Sequence, residues 1–316
     1  MFKTLITGCT GFVGSNLISY LQKQAGYEIT GVSRNVDASH GALPAGISLI
    51  AYPDLLQETS AGWNSYIHLA GMAHDVKGTS EDEAYFEVNF ELTKQVFQRF
   101  LQDEEAGTFV ILSSMKAVAD KPEGVVGEDM APQPATAYGK SKLMAEEYVL
   151  EHEREGKRVF VLRPCMIHGP GNKGNLNLLY ALIRRGIPWP LGSFDNRRSF
   201  LSIDNLNFVI HEILSGRLSP GVYHVCDDEP LSTNELVSLI AKTTEKSGRI
   251  LSTPKWLIHS IAKAGHVLPL PLDQERLQKL TESYVVSNAK LKKALGKELP
   301  VNVRDGLTRT FRSFND

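Results

Sequence analysis

An α/β fold, a doubly wound parallel sheet with a smaller, discontinuous C-terminal lobe, is predicted for this chain of 316 residues. Three observations predict it. Short apolar runs alternate with helical stretches through the first half. The first run feeds a three-glycine loop that opens a helix. After Arg163-Pro164 the alternation gives way to looser, Gly/Pro-punctuated chain and then to helical patterns. Phe2–Thr7, Glu28–Ser33, Ser48–Tyr52, Ser65–Ala70 and Thr108–Ser113 read as strands, apolar on both sides as strands covered on two faces should be. Between the last two lies a helical stretch of about Glu81–Gln102. Another runs from about Tyr138 to Glu155, and Arg158–Arg163 is strand-like again. Gly169-Pro170-Gly171-Asn172, Pro188, Pro190 and Gly192 mark the loose region. Arg198–Ile203 and Gly221–Cys226 read as returns to the sheet. Helical patterns follow near Ser232–Lys246, Pro254–Ala264, Ser287–Leu295 and Val303–Phe314.

Composition narrows the classes. With 42% hydrophobic and 22% charged residues the chain is an ordinary globular one, long enough for a sizeable core. Thirty-four basic against 36 acidic residues give a net charge of −2, so no global basic surface points to nucleic acid, although a local site can still be basic. Cys9, Cys165 and Cys226 are widely spaced, form no metal-ligand pattern, and read as small buried hydrophobes in a reducing cytoplasm. No metal site is expected. The first 20 residues, with Gly8, Gly11, Gly14 and Asn16, read as strand, loop and helix rather than a signal peptide. No apolar run reaches the roughly 18 residues of a membrane span, so no membrane partner is expected.

The loop Thr7-Gly8-Cys9-Thr10-Gly11-Phe12-Val13-Gly14 follows the first strand. Glycines there permit a tight turn and remove the Cβ atoms that would block a pyrophosphate; the helix N-terminus offers free N–H groups to the anion. The same glycines would also serve close helix–strand packing. In its place in an alternating chain, the loop predicts a dinucleotide cofactor. Residues 1–165 then form a dinucleotide-binding Rossmann domain with sheet returns near 198–226, and residues 166–316 a lobe closing over the carboxyl ends of the strands, where ligands bind in such sheets. At the end of the second strand stand Ser33-Arg34-Asn35, without a carboxylate for a ribose 2′-hydroxyl and with a guanidinium suited to a 2′-phosphate. NADP is therefore preferred and NAD the alternative. Asp54, after the third strand, contacts the adenine or caps a helix.

Tyr138 and Lys142 sit four residues apart in Ala-Tyr-Gly-Lys-Ser-Lys, one turn from each other on one helix face. A free tyrosine with a pKa of about 10 is a poor acid–base group; a lysine ammonium one turn away favours the phenolate and draws that pKa toward neutrality. The pair is a candidate general acid–base centre. Such spacing also arises by chance on solvated helices, so its weight comes from its neighbours. Ser114, in Leu112-Ser113-Ser114-Met115-Lys116 at the end of the fifth strand, would lie where nicotinamide and substrate meet; a serine there also serves as a cap or turn residue.

Together these features resemble the extended short-chain dehydrogenase/reductase family of nucleotide-sugar epimerases, dehydratases and reductases, with its TGxxGxxG loop, Ser or Thr after the fifth strand, and YxxxK. Other pieces match in order over nearly the whole chain: His68-Leu69-Ala70-Gly71, Tyr85 and Asn89, Pro134 through Lys142, Leu162-Arg163-Pro164 through Gly171, and Arg198-Ser199-Phe200-Leu201-Ser202-Ile203. The resemblance implies Tyr138 as acid–base group, Lys142 binding the nicotinamide ribose, and Ser114 orienting a sugar hydroxyl or ketone. It implies cofactor contacts from the glycine loop, Leu69, Ala70, Gly71, Asn89 and Pro164. It implies substrate contacts from Met115, Lys116, Asn175 and the diphosphate-pairing Arg198. The segment near Arg276 and Lys279 aligns poorly with the family's second diphosphate arginine, and that role stays open.

Dehydratases of the family carry Asp-Glu after the active-site Thr; here those positions hold Met115 and Lys116, which argues against dehydration. The Ser-Ser-Met-Lys run, with Gly192 through Ser199, looks most like UDP-N-acetylquinovosamine-type 4-ketoreductases. The resemblance thus implies an NADPH-dependent 4-ketoreductase of a nucleoside-diphosphate sugar, with UDP the default nucleotide. A UDP-hexose 4-epimerase retaining NAD is the alternative, and a non-catalytic NADP(H) sensor a minor one. It also implies a cytoplasmic homodimer.

Overall fold

A computed structural model describes residues 1–41, 43–57, 62–72, 81–172, 174–264 and 274–314. Its N-terminal half alternates as expected. β1 (Phe2–Thr7) leads to α1 (Phe12–Leu21), β2 (Tyr27–Ser33) to α2 (Val36–His40), β3 (Ser48–Ala51) to α3 (Tyr52–Gln57), and β4 (Ser65–His68) to α4 (Asp82–Phe86) and α5 (Leu92–Gln102). The expected helix of 81–102 is interrupted by a π-helical turn, Glu87–Glu91. β5 (Thr108–Leu112) is followed by a 3₁₀ turn at Met115–Ala117, the short β6 (Val125–Val126), α6 (Ala137–Glu151) and β7 (Arg158–Pro164).

The second half holds β8 (Met166–His168), α7 (Asn175–Arg184), β9 (Arg197–Arg198), β10 (Phe200–Ser202), α8 (Ile203–Leu214), β11 (Gly221–Val225) and β12 (Leu231–Ser232). Then come α9 (Thr233–Thr244), α10 (Lys255–Ala264), α11 (Gln274–Thr281), β13 (Val285–Val286), α12 (Ala289–Leu295) and α13 (Val303–Arg312). Of the two expected sheet returns, Gly221–Val225 joins the main sheet beside β7. Phe200–Ser202 instead pairs with Met166–His168 in a two-stranded sheet of its own. The residues that follow it form α8, capped by the Ser202 hydroxyl; α7 and α8 were not expected.

Seven parallel strands run in the order β11-β7-β5-β4-β1-β2-β3. Side chains of one strand alternate between two cores. Ile6 of β1 with Phe160 and Leu162 of β7 face α1 and α8; Leu5 with Val159 and Val161 face α5 and α6. Covered on both faces, β4 and β7 are buried almost throughout, which is why they read as unbroken apolar runs. A third core, built on Leu236, Val237, Ile258, Leu307 and Phe311, holds α7, α9, α10, α11 and α13 together as the lobe. Strand order reverses between β1 and β4, and the crevice outside the carboxyl ends of these strands is where such sheets take ligands. Among the described residues no helix is long and apolar enough to cross a membrane.

Candidate active site

The glycine loop lies at that crevice. Gly8 adopts φ +66°, and a Cβ on it would come within 2.7 Å of the Ala70 nitrogen; one on Gly14 would stand 2.3 Å from the Gly8 carbonyl oxygen. Neither approach tolerates a side chain, so the loop lies flat against β4 and α1 starts at once. Gly11 occupies the N-cap and supplies no side-chain cap, so the first-turn N–H groups at Phe12, Val13 and Gly14 remain for an anion. Thr10 and Gly11 are exposed at the rim. This cradle fits the pyrophosphate of a dinucleotide. Thr7 Oγ1 fixes the other wall, taking the Ala70 N–H at 3.2 Å and meeting His68 Nδ1 at 2.8 Å, with Leu69 bonded to the Thr7 carbonyl.

At the end of β2, Ser33 is buried and spends its hydroxyl on Ser39 (2.6 Å) and the Asn35 carbonyl, shaping the turn. Arg34 is exposed. Asp54 accepts the Ala51 N–H at 3.4 Å, which is the capping alternative of the two readings. Tyr52, missed by the sequence reading, turns its hydroxyl toward Thr7 and the Gly8 backbone beside Arg34; burial pushes its pKa up to about 12.

The reaction centre is assembled by close backbone contacts. Asp120 accepts the backbone N–H groups of Ala135 and Thr136 and the Thr136 hydroxyl, and Thr136 Oγ1 accepts the Gly139 N–H, fixing the start of α6. A Cβ on Gly139 would be 2.4 Å from the Lys116 carbonyl oxygen, so α6 packs directly on the turn that Ser114 caps. This brings Ser114 and Tyr138 to the wall of one cleft, where the Ser114 hydroxyl favours the Tyr138 phenolate. The Tyr85 ring stands edge-on to Tyr138 at 5.9 Å.

Lys142 lies one turn below, buried, donating to the Leu112 carbonyl at 3.1 Å. Gly71 and Asn89 enclose it: a Cβ on Gly71 would be 2.8 Å from Lys142 Nζ and 2.9 Å from Asn89 Oδ1. Asn89, on the π-helical turn, accepts the Met72 N–H and donates to the Met72 carbonyl and to Ser141 Oγ, tying the β4 loop to α6. Here the structure departs from the expectation that Lys142 lowers the tyrosine pKa. Burial raises Tyr138, the Ser114 hydrogen bond opposes that shift, and Lys142 is not among its causes. The ammonium faces Leu112, Gly71 and Asn89, and its own burial lowers the Lys142 pKa to about 8, with the Glu146 carboxylate opposing.

Glu146 was also missed. It is buried one further turn along α6, accepts both Nε and Nη2 of Arg163 (2.9 and 2.6 Å), and receives the Ser113 hydroxyl. Ser113, Glu146 and Arg163 thus join the ends of β5 and β7 to the helix that carries Tyr138 and Lys142. A Glu four residues beyond YxxxK was the available signal, and nothing local names its arginine.

Above Ser114 and Tyr138 opens a cleft of about 480 Å³. Met115, Lys116, Pro164, Arg198, Lys279 and Tyr284 contribute to its walls. Arg198 donates from Nε to the Glu282 carbonyl at 3.1 Å and from Nη2 to the Lys279 carbonyl, so the end of α11 anchors it. Lys116 lines the cleft, but its ammonium is held by the Asp120 carbonyl at 2.7 Å and the Tyr284 ring at 4.9 Å. Tyr284 in turn donates to the Met115 and Ala119 carbonyls, clamping the Ser114 turn from the lobe. Asn175 begins α7; its side chain, like that of Arg276, lies outside what is described.

The family model described as NAD dependent epimerase/dehydratase family matches residues 4–226. The UDP-glucose 4-epimerase of Vibrio cholerae is 29% identical, covering 98% of this chain and 94% of its own length. The GDP-6-deoxy-D-mannose reductase of Pseudomonas aeruginosa is 27% identical, covering 80% of this chain and 83% of its own. Among solved structures, RMD from Pseudomonas aeruginosa, complexed with NADPH, superposes with a TM-score of 0.71 at 23% identity, covering 99% of each chain. The glycine loop lies at the strand-order reversal, and Ser114 and Tyr138 line the cleft beside it; the chain belongs to the NAD dependent epimerase/dehydratase family and is an NAD(P)-dependent enzyme of the short-chain dehydrogenase/reductase type.

Proposed function

We propose that this enzyme is an NADPH-dependent 4-ketoreductase of a nucleoside-diphosphate sugar, UDP-linked by default. The observation that carries the reading is the meeting of Ser114 and Tyr138 in one cleft that is also lined by Arg198 and Lys279. An anion and a reacting hydroxyl or ketone would there be served together. The glycine loop and Lys142 would hold the reduced nicotinamide cofactor, which when bound would supply hydride to C4 of the sugar. Tyr138 gives its phenolic proton to the oxygen of that carbon, and Ser114 holds the same oxygen through its hydroxyl. Lys142, cationic below about pH 8, orients the nicotinamide ribose, while the Ser114 hydroxyl is the group that favours the phenolate left behind. Arg198 pairs with the diphosphate. Met115 and Lys116 supply no carboxylate for removing water. The absence of a carboxylate at Ser33-Arg34-Asn35 supports a 2′-phosphate, and so an exchanging NADPH.

A second reading, a 4-epimerase that retains NAD and moves the proton twice, is favoured by the near full-length similarity to a UDP-glucose 4-epimerase. The nucleotide that co-purifies separates the two: retained NAD supports the epimerase, and empty protein that binds NADPH reversibly supports the reductase. Removal of an acid–base group slows chemistry by about 10²–10⁴-fold, so Tyr138→Phe should lower kcat by that range with cofactor affinity unchanged. A kcat within about threefold of wild type would remove Tyr138 from the mechanism. Failure of the wild type both to oxidise NADPH with keto-sugar nucleotides and to interconvert epimers would sink the enzyme assignment at C4.

A further inference from the structure

The outer side of the lobe carries a surface that catalysis does not use. α10 is seated by Ile258 and Ala262, one turn apart and at most 3% exposed. Its Trp256 (69% exposed), Leu257 (37%) and Ile261 (40%) face solvent. Just before it, the Trp189 N–H donates to the Arg249 carbonyl and the Leu251 N–H to the Trp189 carbonyl, and bridges pair Trp189 with Ile250 and Leu191 with Ser252. These pairings set the exposed Ile187 and Leu251 on two neighbouring strips of chain, the second of which leads into the helix.

The charge on these strips is one-sided. Residues 181–192 and 246–264 carry Arg184, Arg185, Lys246, Arg249, Lys255 and Lys263, all exposed, and no Asp or Glu. The nearest acids in sequence, Asp195 and Glu245, lie outside both segments. In a chain whose net charge is −2, these two segments hold six exposed basic residues and five exposed large apolar side chains with no acidic residue of their own, Glu245 standing just outside beside Lys246. Tryptophan and aliphatic residues exposed on a helix, with lysines on its flank, are what an interfacial helix requires. Anionic headgroups supply the complementary charge. The length criterion for membrane spans does not bear on a helix that lies on a surface.

We propose that this face, α10 with the 187–191 and 249–252 segments, docks on an anionic lipid surface. α11, against which α10 packs, contributes Lys279 to the substrate cleft, so the proposed face and the cleft share a neighbouring helix.

Trp63 and Trp189 are 6% and 4% exposed, so Trp256 is the tryptophan whose surroundings vesicle contact would change most. The full chain should co-sediment at low salt with vesicles containing about one-third phosphatidylglycerol and not with pure phosphatidylcholine. Its emission should shift to the blue, and Trp256→Phe should abolish the shift. Each basic residue near an anionic surface contributes about fivefold, so the double variant Lys255→Glu/Lys263→Glu should weaken partitioning at least about 25-fold. Its melting temperature and circular dichroism should match wild type. The proposal is overturned if wild type stays in the supernatant with anionic vesicles, binds neutral vesicles equally, or loses nothing on charge reversal. A blue shift without vesicles on raising protein concentration would instead assign the face to a second copy. A shift with polyglutamate but not with vesicles would assign it to an acidic protein. Either result overturns the proposal.

Discussion

Replacing Lys142 by methionine should show what the buried ammonium costs the fold. Lys142 is 7% exposed, and burial brings its pKa from 10.5 down to about 8. A group bound to its proton more weakly in the folded state makes stability rise with pH between its two pKa values. In this window the unfolded chain still holds the proton and the native chain has released it. Below about pH 8 the penalty is constant. At about 1.4 kcal/mol per pKa unit, a drop of some 2.5 units amounts to roughly 3 kcal/mol at pH 7 and about 1.4 kcal/mol at pH 9.5. Wild type should therefore gain about 2 kcal/mol relative to Lys142→Met between pH 7 and 9.5. Titrations common to both proteins cancel in the difference. With an unfolding entropy of about 2.1 cal/mol/K per residue, this is a relative rise of about 3 °C in melting temperature, read by scanning calorimetry at several pH values. The variant should retain its fold and lose hydride transfer. A stability difference that stays flat within about 0.5 kcal/mol across that window would refute the buried, weakly compensated ammonium, and with it the account of why this lysine titrates near neutrality.

Glu146→Gln leaves the Arg163 guanidinium buried without its carboxylate. Breaking such a pair costs about 3–5 kcal/mol, so the melting temperature should fall by about 5–8 °C. Loss of the opposing carboxylate should also move the lysine-dependent limb of the kcat pH profile below about 8, while Glu146→Asp should restore part of both. An unshifted profile would separate the pair from Lys142. Gly139→Ala drives a Cβ to 2.4 Å from the Lys116 carbonyl; it should lower kcat more than cofactor affinity, since it parts Ser114 from Tyr138 and leaves the glycine cradle alone. Stopped-flow turnover beside NADPH titration checks this, and unchanged kcat would contradict it. Arg34→Ser should weaken NADPH binding more than NADH binding in calorimetric titrations; equal losses would contradict the 2′-phosphate contact.

The parts legible in the sequence are those governed by neighbours along the chain. Strands buried on both faces must be apolar throughout, so β1, β4, β5 and β7 were visible. A loop that crosses under an anion must lack Cβ atoms, so Gly8 and Gly14 were visible. Residues four apart on a helix share a face, so Tyr138 and Lys142 were paired before any coordinates. Short apolar runs misled where tertiary pairing decides between partners: Phe200–Ser202 is as strand-like as Gly221–Val225, yet it pairs with β8, and α8 follows immediately because Ser202 caps it. The glycine-poor, mixed stretches that became α7 and α8 were overshadowed by the prolines and glycines around them.

By itself, then, the chain's order determined a doubly wound sheet, a dinucleotide loop and a tyrosine–lysine centre, since each is a matter of spacing within a few residues. Only the tertiary structure decided the state and surroundings of that centre. Glu146 meets Arg163 across 17 residues, Asn89 meets Ser141 across 52, and Tyr284 reaches back 169 residues to clamp the Ser114 turn. Contacts at such separations leave no periodic trace. The pKa values they govern depend on desolvation and on where an ammonium points, which follow from how the elements pack rather than from the order of residues within them.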